Sequence, residues 1–279
     1  MKMKRINILP YLLMALVALI FLFPLVWTVI SALKPEGQIV SYPPQWIPRT
    51  PTLENFTLVL HKFPFMQWVW NSVFLAVVST VLVLILDSMA AYAFGRLQFR
   101  GKKLLFGLIV SMLLVPIQAY VVPLYMLFST LGMLNSYTAL ILPVCANVTG
   151  VFLLTCFFRS IPNELQEAAM IDGCNDFTIF YRIMIPLSKP ALSSVAIITF
   201  ISSWNSFLWP LIAIRSDFLK PLPVGVAQFM GAAGGVSGSA PQYGISLSAA
   251  CMAVLPTIIV FLILQRFFVQ GIVSSGIKG

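Results

Sequence analysis

Ile161-Pro162-Asn163-Glu164-Leu165-Gln166-Glu167-Ala168-Ala169-Met170-Ile171-Asp172-Gly173 is the one stretch of this chain that is helical in pattern yet too polar to sit in lipid. Pro162 suits the first helical position, where its missing N–H costs nothing. Glu164 in the first turn complements the helix dipole. Leu165, Ala168, Ala169 and Asp172 follow at i, i+3, i+4 and i+7 and so share a face, on which two alanines permit close approach to another surface. Gly173 fits the left-handed residue that stops a helix. A second short helix is expected from Phe177, Phe180, Ile183 and Met184, with Pro186 ending it. A plain loop needs no such order, whereas a docking element that passes force from a partner into the flanking helices does.

On either side the chain turns apolar. Six blocks of roughly bilayer-spanning length are legible: about Leu9 to Ser31, Val69 to Phe94, Leu104 to Phe128, Tyr137 to Phe158, Ala191 to Ile214 and Ile245 to Phe268. The expected fold is therefore all-α and polytopic, with six transmembrane helices. The first block follows Lys2, Lys4 and Arg5. It is too long for a signal-peptide core and ends without a cleavage site, so it reads as a retained span. The stretch from Lys34 to Gln67 carries six prolines and reads as an ordered aqueous loop. Gly231 to Gly238 reads as an exterior turn. The expected organisation is residues 1–67 as first helix and exterior loop, 68–268 as a five-helix core holding the polar 159–190 loop, and 269–279 as a tail.

Composition agrees. The 279 residues are 59% hydrophobic and 9% charged, with a mean hydropathy of +0.96. A soluble domain carries about 25% charged residues, so lipid must be the main solvent. The net charge of +9 does not signal nucleic acid, because the basic residues are spread through short loops between the apolar blocks. Twelve of the seventeen lie at the N-terminus, in 95–103, in 159–190 or in the C-terminal tail; Lys34, Arg49, Lys62, Arg215 and Lys220 lie in the other loops. Positive-inside bias then puts both termini, and residues 159–190, in the cytoplasm. Cys145, Cys156, Cys174 and Cys251 form no C-x-x-C pair, and with the lone His61 they make no metal set.

Glu167-Ala168-Ala169, Asp172-Gly173 and Ile185-Pro186-Leu187-Ser188-Lys189-Pro190 resemble the EAA loop of binding-protein-dependent ABC importer permeases. Cys174 replaces the usual Ala and Ile185 the usual Leu. Asn71-Ser72, Ala90 to Phe94, Trp204 to Pro210, Leu222 to Gly225, Gln265 to Gly271 and the closing Lys278-Gly279 are similar to the carbohydrate branch, which includes the maltose-type permeases. The resemblance implies a type I importer fold in a bacterial or archaeal plasma membrane. It implies a second, non-identical permease subunit, two copies of a cytoplasmic ATPase and an extracytoplasmic solute-binding protein, with an oligosaccharide as the expected solute. It makes Glu164, Glu167, Ala168, Ala169, Asp172 and Gly173 the ATPase-coupling residues, and brings the tail against the ATPase. ATP and magnesium would belong to that partner; no cofactor is expected on this chain, which has no G-x-x-x-x-G-K-S/T loop.

Candidates for the solute pathway are fewer. Asp87 is a charge inside an apolar block, either functional or paired with a neighbouring helix. Gln118 lies between Pro116 and Pro123, where a span would be interrupted. Trp204, Asn205 and Trp209 recur at helical spacing; aromatic faces and an amide suit a sugar, and interfacial tryptophan is the plainer reading. An ion-driven secondary transporter is the alternative, but it would want paired ionisable groups at mid-membrane, and only Asp87 qualifies. An intramembrane enzyme would need a catalytic set that one exterior histidine does not supply.

Overall fold

The computed structural model describes residues 8–232 and 243–276. Lys2, Lys4, Arg5, most of the glycine-rich 231–238 stretch and the closing Lys278-Gly279 lie outside the described residues. No strand occurs among those described; the elements are α1 (Ile8–Ala32), α2 (Glu36–Ile39), α3 (Glu54–Lys62), α4 (Phe65–Gly95), α5 (Lys102–Ser111), α6 (Ile117–Thr130), α7 (Tyr137–Ile141), α8 (Val148–Ser160), α9 (Asn163–Ile171), α10 (Asp176–Ile179), α11 (Ile185–Leu187), α12 (Lys189–Trp204), α13 (Leu208–Ala213), α14 (Leu222–Ala232) and α15 (Tyr243–Gly276). Two compact units form: the described residues of Met1–Met66 with Gly225–Thr257, and those of Gln67–Val224 with Ile258–Gly279.

Leu9–Ala32, Phe65–Gly95 and Tyr137–Ser160 are long and apolar enough to cross a membrane. The third expected span is bent, the chain bends again just before the fifth, and the fifth itself breaks after Trp204. α5, extended by a short tight turn to Leu114, meets α6 at 106°. The single span expected over Leu104 to Phe128 is thus two half-helices, for a local reason: Pro116 pushes Val115 out of helical space, to φ −93° and ψ 110°. The chain over Asp176–Leu187 meets α12 at 78°. Tyr243–Ile259 is the apolar start of α15.

The first unit is built from an uncharged helix and a strapped loop. Leu12, Ile20 and Phe21 of α1 are all more than half exposed, which suits lipid. After α1 the loop is tied down by buried polar groups. Asn55 donates from Nδ2 to the carbonyls of Ala32 (3.0 Å) and Lys34 (2.9 Å). Lys34 is buried, donates to the Gln45 carbonyl and stands 4.4 Å over the Trp27 ring; burial holds its ammonium below the usual lysine range. The Glu36 carboxylate accepts the Tyr243 and Gly244 N–H groups at 2.7 and 2.8 Å, so an acid satisfies the free donors at the start of α15.

In the second unit, α4 is 31 residues long, or about 46 Å, and exceeds an apolar core of about 30 Å. Each end therefore reaches polar surroundings. At one end Asn71 donates to the carbonyls of Phe218 (2.8 Å) and Lys220 (2.9 Å) and accepts from Tyr137 Oη (2.8 Å), while Ser72 Oγ accepts the Leu222 N–H (2.8 Å). Leu75, Val121, Phe128, Leu140 and Trp209 pack nearby. Towards the other end Val83, Tyr92, Leu154, Phe158, Ala169, Ile179, Met184 and Val195 form a second cluster.

Candidate functional site

The 159–190 segment folds as two short helices about a glycine. Pro162 is the residue before α9, with φ −56° and ψ 139°, one position earlier than expected. At the far end Gly173 has φ +79°. Its N–H bonds to the Met170 carbonyl and the Cys174 N–H to the Ala169 carbonyl, at 3.0 and 2.9 Å. This paired closure is why a residue free to take a left-handed conformation stands there. Asn175 then caps α10, its Oδ1 accepting from the Thr178 N–H at 2.8 Å.

Pro186 does not end the second helix. The chain widens over Phe180–Met184 into a π-helical stretch and continues through α11 before breaking at Ser188. Proline at 186 offers no N–H and crowds the carbonyl one turn back, and a widened turn relieves both.

Nine residues cannot hold a helix alone. Arg96, at the end of α4, supplies the anchor: its guanidinium donates to Asn163 Oδ1 and to the Ile161 carbonyl, at the mouth of α9. Arg159 donates to the Phe94 carbonyl at 3.1 Å and closes α8 against α4. Ala169 is buried in the cluster around Tyr92 and Phe158, and Cys174 packs at its edge. The expected shared face is therefore divided. Ala169 turns inward, while Glu164, Leu165, Glu167, Ala168, Asp172 and Gly173 are exposed. Beside them stand Ile171 (87% exposed), Phe177 (71%) and Tyr181 (67%). These exposed apolar side chains and acids stand on a helix pair tied to α4 and α8.

The pathway candidates scatter. Asp87 is buried, and its Oδ1 accepts the Asn147 N–H at 3.1 Å. The fourth span is interrupted there: α7 gives way to a tight turn, and α8 restarts after Asn147, whose Oδ1 accepts from Thr149 and Gly150. Asp87 therefore stands at a helix start in mid-span, where the dipole favours a negative charge. Trp204, Asn205 and Trp209 do not share one helix. α12 stops at Trp204, exposed Asn205 turns its Nδ2 back to the Ile201 carbonyl (2.9 Å), and Trp209 lies on α13. Trp204 is buried and stacks with Phe200; Trp209 is buried and donates from Nε1 to the Ala139 carbonyl at 2.8 Å. Gln118 is exposed in the first turn of α6.

The geometry brings together a different set. The breaks before α6, before α8 and after α12 border one pocket of about 290 Å³, with Tyr120, Asn147, Thr149, Ser206 and Trp209 in its wall. Of the expected pathway residues only Trp209 lines it. Interrupted helices place backbone groups where a solute can use them. Tyr120 and Asn147 gave no signal in a linear reading, because nothing local says where two breaks will meet. Arg96 was visible only as one more topology charge.

Bent spans, a pocket bordered by three helix breaks and a polar helix pair tethered between spans are the features of a transport permease. Residues 88–274 match the family described as the binding-protein-dependent transport system inner membrane component. The chain is 35% identical over 286 residues to the arabinooligosaccharides transport system permease protein AraQ of Halalkalibacterium halodurans, covering 100% of both. It is 33% identical to the sulfoquinovosyl glycerol transport system permease protein SmoH of Agrobacterium fabrum, covering 92% of this chain and 89% of that one. It is 31% identical to the sn-glycerol-3-phosphate transport system permease protein UgpE of Yersinia enterocolitica, covering 98% of both. In fold it matches a chain from the crystal structure of a bacterial ABC transporter involved in the import of the acidic polysaccharide alginate, with a TM-score of 0.81, 24% identity, and coverage of 96% of this chain and 99% of that one.

The chain belongs to the binding-protein-dependent transport system inner membrane component family. It is a membrane-embedded permease subunit of an ABC importer with the type I permease fold.

Proposed function

We propose that this subunit forms half of the import pathway for a carbohydrate, an oligosaccharide first, with its α9–α11 surface seated on a cytoplasmic ATPase. The observation that carries the reading is the docking pair itself: exposed apolar and acidic side chains on a helix whose start is bonded to the end of α4, a 31-residue apolar helix. A push on α9 therefore arrives at α4 through the Arg96 guanidinium. Glu164, Glu167, Ala168, Asp172 and Gly173 meet the partner, and Ala169 holds the helix to the permease. Both termini lie in the cytoplasm, in line with the distribution of basic residues. A second, non-identical permease subunit completes the pathway, two ATPase copies bind and hydrolyse ATP with magnesium, and an external binding protein delivers the solute. No chemistry is assigned to this chain and no cofactor to its residues.

The solute class rests on the pocket and the relatives. Tyr120 and Trp209 offer ring faces to C–H surfaces, and Asn147, Thr149 and Ser206 offer hydrogen bonds to hydroxyls, a combination suited to a sugar. The names of the relatives cover arabinooligosaccharides, sulfoquinovosyl glycerol and glycerol-3-phosphate, which share hydroxyl-rich backbones.

The test is uptake of labelled oligosaccharides by cells carrying this chain with its partner subunits. Uptake should stop when ATP is depleted under a maintained ion gradient, and the ATPase should co-purify with this chain. Uptake that continues without ATP, or a chain that brings down no ATPase, overturns the proposal.

Gly173→Leu is a sharper probe. Gly173 is exposed and a Cβ there meets nothing within 4 Å, so the main cost of the change is that of φ +79°. That cost is about 1–2 kcal/mol. The variant is expected to reach the membrane at the normal level and to lose most of its uptake, because the turn that aims α10 relaxes. Uptake equal to that of the unmodified protein at equal membrane level would refute the role of the turn.

A further inference from the structure

The Arg96 end of α4, with α5, α8 and α9, surrounds an open pocket of about 990 Å³ that the docking surface does not use. Arg96, Lys102, Lys103 and Arg159 line it, and no carboxylate does. The sole ion pair among the described residues, Lys220 with Asp217, involves none of these four. Lys102 and Arg159 are held by carbonyls, those of Leu97 at 2.7 Å and Phe94 at 3.1 Å, and Arg159 also stacks 5.0 Å from the Phe106 ring centroid. Arg96 is only 9% exposed, and its Nε has no partner. Four cations gathered without a counter-charge repel one another, and a buried guanidinium N–H left unbonded is costly. Both facts call for an anion.

Leu104 (69% exposed) and Phe106 join the cations in the wall, and outside the pocket Leu105 (47%) and Leu108 (56%) continue the exposed apolar surface of α5 from the two lysines. A soluble phosphate has no use for that face, whereas a lipid does. We propose that the pocket seats the phosphate headgroup of an anionic phospholipid of the cytoplasmic leaflet, with its acyl chains along the leucine face of α5. Basic pockets between membrane helices on that side bind such headgroups. Asn163 and Gln166, which complete the wall, belong to α9. The lipid therefore braces the docking helix, and coupling depends on anionic lipid. The placement in the cytoplasmic leaflet rests on the orientation proposed above.

The experiment uses the whole importer, purified with its partner subunits and reconstituted into nanodiscs of phosphatidylcholine with or without phosphatidylglycerol. Native mass spectrometry reads the lipid retained, and ATP hydrolysis stimulated by solute-loaded binding protein reads coupling. Wild type should retain phosphatidylglycerol, and the variant Lys102→Gln with Lys103→Gln should retain about tenfold less. Phosphatidylglycerol should raise stimulated hydrolysis in wild type and not in the variant. Exposed Lys103→Glu alone, which cannot disturb the interior, should show the same direction. Equal retention by all three overturns the proposal, as does millimolar inorganic phosphate that replaces the lipid, which would mark a free-anion site. Loss of the ATPase from the lysine variants in phosphatidylcholine alone would assign the pocket to the ATPase interface and overturn it too. A chain that retains lipid but binds no ATPase would instead refute the functional reading and leave the lipid site standing.

Discussion

Gly150→Ala is expected to lower the protein's thermal stability in detergent sharply and to reduce the amount found in the membrane. A Cβ at residue 150 would lie 2.1 Å from Asp87 Oδ2, 3.1 Å from Asp87 Cγ and 3.2 Å from Val195 Cγ1. The carboxyl has nowhere to retreat without giving up the Asn147 N–H that it accepts at 3.1 Å. Overpacking and the lost hydrogen bond together cost about 3 kcal/mol. Asp87→Ala alone should also destabilise, by leaving the Asn147 N–H unmet at a break in a membrane helix, where no water replaces the partner. The decisive reading is the double variant. With the carboxyl gone the added methyl has room, so Gly150→Ala should cost far less in the Asp87→Ala background, a coupling of about 1–2 kcal/mol. Additive losses would show that the two residues do not meet, and that Asp87 serves the pathway and not the helix start.

The second large effect concerns Arg96. Arg96→Ala removes both bonds that tie the start of α9 to α4, to Asn163 Oδ1 and to the Ile161 carbonyl. Hydrogen bonds to a charged group contribute about 1.5–3 kcal/mol each, so the start of α9 should come loose from α4 while Ala169 stays packed in the Tyr92–Phe158 cluster and the spans remain inserted. Uptake should fall by about tenfold or more, with membrane level kept. ATP hydrolysis by the complex should lose most of its response to loaded binding protein, because the polar link from the start of α9 to α4 is gone. Arg96→Lys should be intermediate, since one ammonium cannot reproduce a planar fork reaching two acceptors. Asn163→Ala should be milder than Arg96→Ala, because the carbonyl bond survives. Full coupling in Arg96→Ala would place the transmission route elsewhere.

These two sites mark the edge of what a linear reading reaches. The helix stop at Gly173 was legible, since a glycine after an amphipathic run needs no distant partner to explain it. The division of the α9 face was not: periodicity puts Leu165, Ala168, Ala169 and Asp172 on one side, and only contact with Tyr92, Phe158 and Ile179 sends Ala169 inward. The bend before α6 was hinted at by Pro116, yet its 106° depends on what α5 and α6 pack against. Trp204 and Trp209 shared a helical spacing on paper, and the break at Asn205 parted them.

By itself the sequence determined that this chain lives in lipid, where its apolar segments lie, which loops carry the positive charge and that one polar loop is folded. Each of those follows from local composition or period, because bilayer thickness, helical pitch and the dipole act on neighbouring residues. The tertiary structure alone decided that Asp87 meets a helix start sixty residues away, that Arg96 holds that loop, and that three helix breaks border one pocket with Tyr120 and Asn147 in its wall. Such meetings depend on how separate helices pack, and a buried polar group finds its partner in space, whatever the distance along the chain.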